Sequence, residues 1–141
     1  MFILDTDAIT HDQNRHPILS VKVQSTSREH LFTTSVTVEE QLKGRLASIN
    51  RYRNDPRRSA QAHAALIQTV YYFSQWTLLP YNEEVDAIFR QLQRQRIRIS
   101  SQDLRIAAIA LLHGFTVVTR NVRDFAQVPN LKVEDWAIAS P

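Results

Sequence analysis

Five carboxylates in this sequence fall where carboxylates can act together. Asp5 and Asp7 follow the apolar run Met1-Phe-Ile-Leu4, and Glu40 lies shortly after Leu31-Phe-Thr-Thr34. Asp103 opens an Ala- and Leu-rich stretch, and Asp124 lies just past Phe115-Thr-Val-Val-Thr119. In open α/β sheets a ligand sits outside the carboxyl ends of the strands, where the strand order reverses. Four or five carboxylates gathered in such a crevice repel one another, and either protonation or a cation must relieve them. The chain has no Cys, and His11, His16, His30, His63 and His113 show no metal-ligand spacing and no evident Ser or Asp partner. The donors are therefore hard carboxylate oxygens, which favour Mg²⁺ or Mn²⁺ over Zn²⁺. Mg²⁺ in turn characteristically takes few carboxylates, several waters and substrate phosphates.

Each acid also has a structural use. Thr37 stands three residues before Glu40 and Ser100 three before Asp103, so both acids fit capping boxes. Capping leaves their faces unexplained. Asp103 shares a helical stripe with Ile106, Ala107 and Ala110, which puts it on the buried-facing side. Asp5 ends an apolar strand directly, where an unpartnered carboxylate is costly. Asp7 can cap the following turn, and Glu39, one residue off the Glu40 face, reads as solvated. Thr119 and Asn121 lie beside the crevice, where they can hold a water or orient a carboxylate, although Asn121 is equally a helix cap. No G-x-G-x-x-G or G-x-x-x-x-G-K-[ST] occurs, so a dinucleotide or P-loop site has no support.

The elements that must position these residues follow from pattern. Met1–Leu4, Leu31–Thr34, Thr77–Leu79, Phe115–Thr119 and Leu131–Val133 read as short strands. Pro17 can open a helix continued by Ile18–Ser27. Thr37 opens another running towards Tyr52, and Arg57–Trp76 forms a long one ending in Tyr71, Tyr72, Phe73 and Trp76, aromatic residues suited to core or interface packing. Asn82 caps a helix with the stripe Val85, Ile88, Phe89 and Leu92 and a basic opposite face. Ser100 caps one that stops at Gly114, and Asn121–Phe125 is a turn or short helix. Strands alternating with helices imply parallel pairing with right-handed crossovers. The expectation is an α/β, three-layer helix–sheet–helix unit spanning residues 1–141, with a mainly parallel sheet of four or five strands.

The length of 141 residues suits one domain. With 43% hydrophobic and 22% charged residues the chain can build a packed core, which excludes a disordered or collagenous class. No apolar run reaches the ~20 residues a membrane span needs, and the acidic start does not read as a signal peptide, so a cytoplasmic protein is expected. Fourteen of the 17 basic residues are Arg, the side chain suited to bidentate phosphate contact and base stacking. The formal charge is +3. Setting aside the five crevice acids, 17 basic residues face nine other carboxylates, leaving +8 elsewhere. That field draws a phosphate backbone towards an acidic, metal-filled site. Each Arg tract taken singly also reads as a solvated helix face.

The segments Ile3-Leu-Asp-Thr-Asp7, Thr37-Val-Glu-Glu-Gln-Leu-Lys-Gly44, Asp103-Leu-Arg-Ile-Ala-Ala108 and Val118-Thr-Arg-Asn-Val-Arg-Asp-Phe125, followed by Pro129-Asn-Leu-Lys-Val-Glu-Asp-Trp136, resemble in order a PIN-domain ribonuclease of the VapC toxin type. The resemblance implies a metal-dependent endoribonuclease with Asp5, Glu40, Asp103 and Asp124 as its acidic quartet. Asp5, Asp103 and Asp124 would bind Mg²⁺ or Mn²⁺, with Glu40 joining directly or through water, and either Asp124 or Asn121 takes the fourth position. Asp7, Thr119 and Asn121 would support them, with Arg105, Arg120 and Arg123 towards substrate. The ion would activate a water for in-line attack on an RNA phosphodiester. The resemblance also implies a tRNA or ribosomal RNA target, a cognate antitoxin and a homodimer. Two alternatives stand beside it. In a haloacid-dehalogenase-type phosphatase Asp5 would be the nucleophile and Asp7 the acid/base, but Ile9 replaces the expected Thr or Val and no Lys lies between Lys43 and Lys132. A PIN-like binding module without catalysis would be expected to lack the crevice acids.

Overall fold

The computed structural model describes residues 1–139. Five strands form its sheet: β1 (Phe2–Leu4), β2 (Leu31–Thr34), β3 (Thr77–Leu79), β4 (Thr116–Val118) and β5 (Val133–Glu134). They lie in the order β3-β2-β1-β4-β5, and every pairing is parallel. The chain first builds outward from β1 through β2 to β3, then returns to add β4 and β5 on the other side. The reversal falls between β1 and β4, so the carboxyl ends of these two strands flank the crevice.

Helices α1 (Thr6–Gln13), α2 (Leu19–Ser25) and α3 (Ser35–Arg51) precede the long α4 (Pro56–Ser74). Then come α5 (Glu83–Arg94), α6 (Ser101–His113) and the single turn α7 (Val122–Phe125). Adjacent strand residues point to opposite faces. Ile3 and Val117 face a core with Val85, Phe89, Ile106 and Phe125. Leu4 and Val118 face one with Ile9, Leu19, Phe73, Trp76 and Trp136. The sheet is thus covered on both sides, as an all-parallel sheet requires.

Local chemistry sets the helix ends. Asn82 Oδ1 accepts from the Val85 amide at 2.9 Å, and Ser100 Oγ from the Asp103 amide at 3.1 Å. Gly114 closes α6 with φ of 68°, a left-handed conformation that glycine adopts without penalty.

Several boundaries differ from the sequence reading. Residues 6–13, which pattern left without an element, form α1, and its N-cap is Asp5 itself: Oδ1 accepts the Ala8 amide at 2.8 Å. Pro17 stands in a turn ahead of α2, whose first amides are met by His16 Nδ1 at 3.2 Å. Helix α3 is capped by Thr34, whose hydroxyl accepts from the Thr37 amide at 3.2 Å, so Thr37 is inside the first turn and the Thr37–Glu40 capping box does not form. Strand β5 is two residues long and starts at Val133, after the left-handed Asn130.

Candidate active site

Asp5 leaves the C-terminal end of β1 and is 2% exposed. Burial removes the water that would solvate its charge and, with Asp7 and Asp103 nearby, pushes its pKa up to about 7, against opposing hydrogen bonds from the Thr119 hydroxyl and the Ala8 amide. Thr119, fully buried at the end of β4, also accepts from the Asn121 amide at 2.9 Å. The two strand ends at the reversal point are joined here through their side chains.

Asp103 enters from the first turn of α6. Its pKa is raised by burial first and then by Asp124 and Asp7, while Ser100 pulls the other way. Glu40, on the second turn of α3, is raised by burial and by Asp103 and Glu39, partly offset by Thr6. Thr6 Oγ1 donates to Glu40 Oε1 at 2.8 Å, and it lies 3.1 Å from Thr37 Oγ1. A hydroxyl has one proton, so Thr37 donates to Thr6, and Thr6 to Glu40. Asp124 receives Asn121 Nδ2 at 2.8 Å. Asn121 occupies the N-cap position of α7 without capping it, so its side chain serves a carboxylate and not the helix. The two candidates for the fourth position are bonded to each other.

The fold therefore puts Asp5, Glu40 and Asp124 each within electrostatic reach of Asp103, which is the acid they share. Asp7 borders the group, half exposed, and pairs with His11 Nε2 at 3.4 Å, an Asp partner for histidine that the sequence spacing concealed. Arg120 and Arg123 are exposed beside the crevice, flanking Thr119 and Asp124 in the chain. Arg105 lies over the Phe89 ring at 4.4 Å and donates to Gln102 Oε1 at 3.0 Å. Thr6 and Thr37 are participants that sequence reasoning missed; a hydroxyl residue directly between Asp5 and Asp7 was the available signal for the first.

Among the described residues no ion pair involves Asp5, Glu40, Asp103 or Asp124. Among the described residues no three acidic or imidazole groups stand close enough to share one ion, so a shared ion requires these side chains to draw together. The donor chemistry suits such an ion: clustered carboxylates, one fully desolvated, without a protein cation to balance them.

A cluster of carboxylates at the switch point of a doubly wound parallel sheet defines the class. The PIN domain model matches residues 2–131, and the chain belongs to the PIN-domain family. It is 36% identical over 92 residues to Ribonuclease VapC1 of Rickettsia felis, a stretch covering 62% of this chain and 66% of that protein, just under two thirds of its length. Ribonuclease VapC2 of Haemophilus influenzae is 27% identical over 139 residues, 96% of this chain and 97% of that one. The solved structure of VapBC-1 from nontypeable Haemophilus influenzae shares the fold, with a TM-score of 0.77 at 24% identity over 97% of this chain and 98% of that one.

Proposed function

We infer that this protein is an endoribonuclease that hydrolyses RNA phosphodiesters with Mg²⁺ or Mn²⁺ at the Asp5, Glu40, Asp103 and Asp124 site. The buried, uncompensated Asp5 carboxylate at the strand reversal carries the reading. Asp5, Asp103 and Asp124 would hold the ion, with Glu40 beside them. When bound, the ion supplies Lewis acidity towards a water and a phosphodiester oxygen. The rest falls to the chain's own groups. Thr119 and the Ala8 amide fix the Asp5 carboxylate, and Asn121 fixes that of Asp124. The Thr37–Thr6 relay occupies Glu40 Oε1, leaving Oε2 to accept a proton from the attacking water. Arg120 and Arg123 draw the phosphate backbone to the crevice.

Relatives named ribonuclease VapC, together with the fold of a VapBC structure, support a toxin restrained by a cognate antitoxin, and the reading places that pair in the cytoplasm. Ile67, Val70 and Tyr71 stand exposed on α4, an apolar face suited to a protein partner in a homodimer or with the antitoxin. No helix among the described residues is long and apolar enough to cross a membrane.

Cleavage of a tRNA and ribosomal RNA pool with Mg²⁺ or Mn²⁺, compared with EDTA and with Asp5→Asn, tests the reading. Cuts that need the ion and vanish in the folded variant support it. Intact RNA with wild-type protein shown to bind the ion overturns it.

A further inference from the structure

Next to the acid cluster along α3 and α6 lies a cavity of about 500 Å³, lined by Ser35, Val36, Glu39, Tyr81, Gln102 and Arg105. Its volume is within the range of small-molecule sites. Glu39 and Gln102 each directly precede a site acid, Glu40 and Asp103, so the cavity and the acid cluster share the starts of α3 and α6.

The cavity holds opposite charges kept apart. Glu39 and Arg105 form no ion pair among the described residues, and Gln102 lies between them. The Gln102 amide nitrogen donates to Glu39 Oε1 at 2.8 Å, and its oxygen accepts from Arg105 at 3.0 Å. Arg105 is fixed further by the Phe89 ring beneath it. Tyr81 is fixed by donating to Asp86 at 2.8 Å and by edge contact with Phe89 at 6.4 Å. A rigid guanidinium, a carboxylate with one oxygen uncommitted and a pinned phenol ring thus border one space. A planar ligand with acceptors on one edge and donors on another can meet both charges and lie on the ring. Among nucleobases guanine has that pattern: O6 and N7 accept from Arg, while N1–H and N2–H₂ donate to a carboxylate.

We propose that the Glu39–Tyr81–Arg105 cavity is a guanine subsite, taking the base next to the phosphodiester cut in the neighbouring crevice. The base identity rests on this cavity alone; its place beside the cut rests on the ribonuclease reading.

Two measurements separate the claims. The first maps cut ends in a random-sequence RNA treated with Mn²⁺ and wild type, Arg105→Met, Glu39→Gln, Tyr81→Phe or Tyr81→Leu, each checked for folding by thermal melting. Wild type and Tyr81→Phe, which keeps the ring, should enrich guanine at one position flanking the cut. Arg105→Met, Glu39→Gln and Tyr81→Leu should lose that enrichment by about tenfold. The second titrates each of the four nucleoside 5′-monophosphates into protein in EDTA, followed by NMR. Guanosine monophosphate alone should move Tyr81 and Arg105 signals, and Arg105→Met should abolish this. RNA cut with no guanine preference, or with the same preference in every variant, overturns the subsite and leaves the ribonuclease standing. Selective guanosine monophosphate binding with no RNA cut does the reverse. Neither cutting nor selective binding overturns both.

Discussion

Thr6 and Glu40, 34 residues apart in sequence, are joined by a 2.8 Å hydrogen bond from hydroxyl to carboxylate that ties the start of α1 to the second turn of α3. Thr37 orients the hydroxyl by donating to it, so its proton has one destination. This bond holds the Glu40 pKa down against burial and against Asp103. Thr6→Val keeps the shape and removes the donor. The pKa of Glu40 should then rise, and the acid limb of the pH profile for RNA cleavage should move to higher pH, with kcat lowered about tenfold near neutrality. Thr6→Ser should restore both. An unmoved acid limb in Thr6→Val would show that Glu40 does not titrate in the reaction.

Asp5 makes a stability prediction of definite sign. Its folded pKa of about 7 exceeds the ordinary 3.8, so between these values the folded chain holds a proton that the unfolded chain has released. Stability of the metal-free protein therefore falls as pH rises through that window and levels off above about 7. The full shift is worth on the order of 4 kcal/mol. Asn at this position can still cap α1 through its amide oxygen and carries no charge to desolvate. Asp5→Asn should be the more stable protein in EDTA at pH 8, with little difference at pH 4, in urea unfolding. Added Mg²⁺ or Mn²⁺ should stabilise wild type and not the variant.

How far the sequence revealed this arrangement depended on local chemistry. Strands β2 and β3 were legible to the residue because short β-rich runs stand next to turn or helix signals. The ends of α6 were equally plain, since Ser100 and Gly114 are strong terminal signals. Helix α1 was hidden because only Ala8 and Ile9 of its residues are buried, too few to make a stripe, and its cap is the same Asp5 that ends β1. Thr34 and Thr37 are equally good caps by type. Tertiary contact decides between them, since the buried Thr37 is drawn to Thr6. That Asp5, Glu40 and Asp124 come near Asp103 at one end of the sheet followed from strand order, while Asp7 stays at the border with His11. The Thr6–Glu40 and Gln102–Glu39 bonds join residues 34 and 63 apart, beyond any local pattern.

Asn121 gives a test of the fourth position. Its side chain donates to Asp124 at 2.8 Å and does not cap α7, so Asn121→Ala should cost the helix little and leave Asp124 free to rotate. If Asp124 is a ligand, loss of this orienting bond should weaken Mn²⁺ binding roughly 10- to 100-fold. Calorimetry on wild type, Asn121→Ala and Asp124→Asn measures it. Unchanged affinity in Asp124→Asn would remove that residue from the ligand set.

Arg120 and Arg123 border the crevice, exposed and free of ion pairs among the described residues. Phosphate contact by such groups releases counterions, so binding to single-stranded RNA weakens with salt by a log–log slope of about 0.7 per contact. Arg120→Ala and Arg123→Ala should each raise KM several-fold at low salt and flatten its salt dependence by roughly that one-contact amount. Cleavage rates at saturating RNA should stay near wild type, because neither side chain is bonded to the acids. A variant that loses kcat while its salt slope is unchanged would place that Arg at the reacting phosphate and not on the flanking backbone.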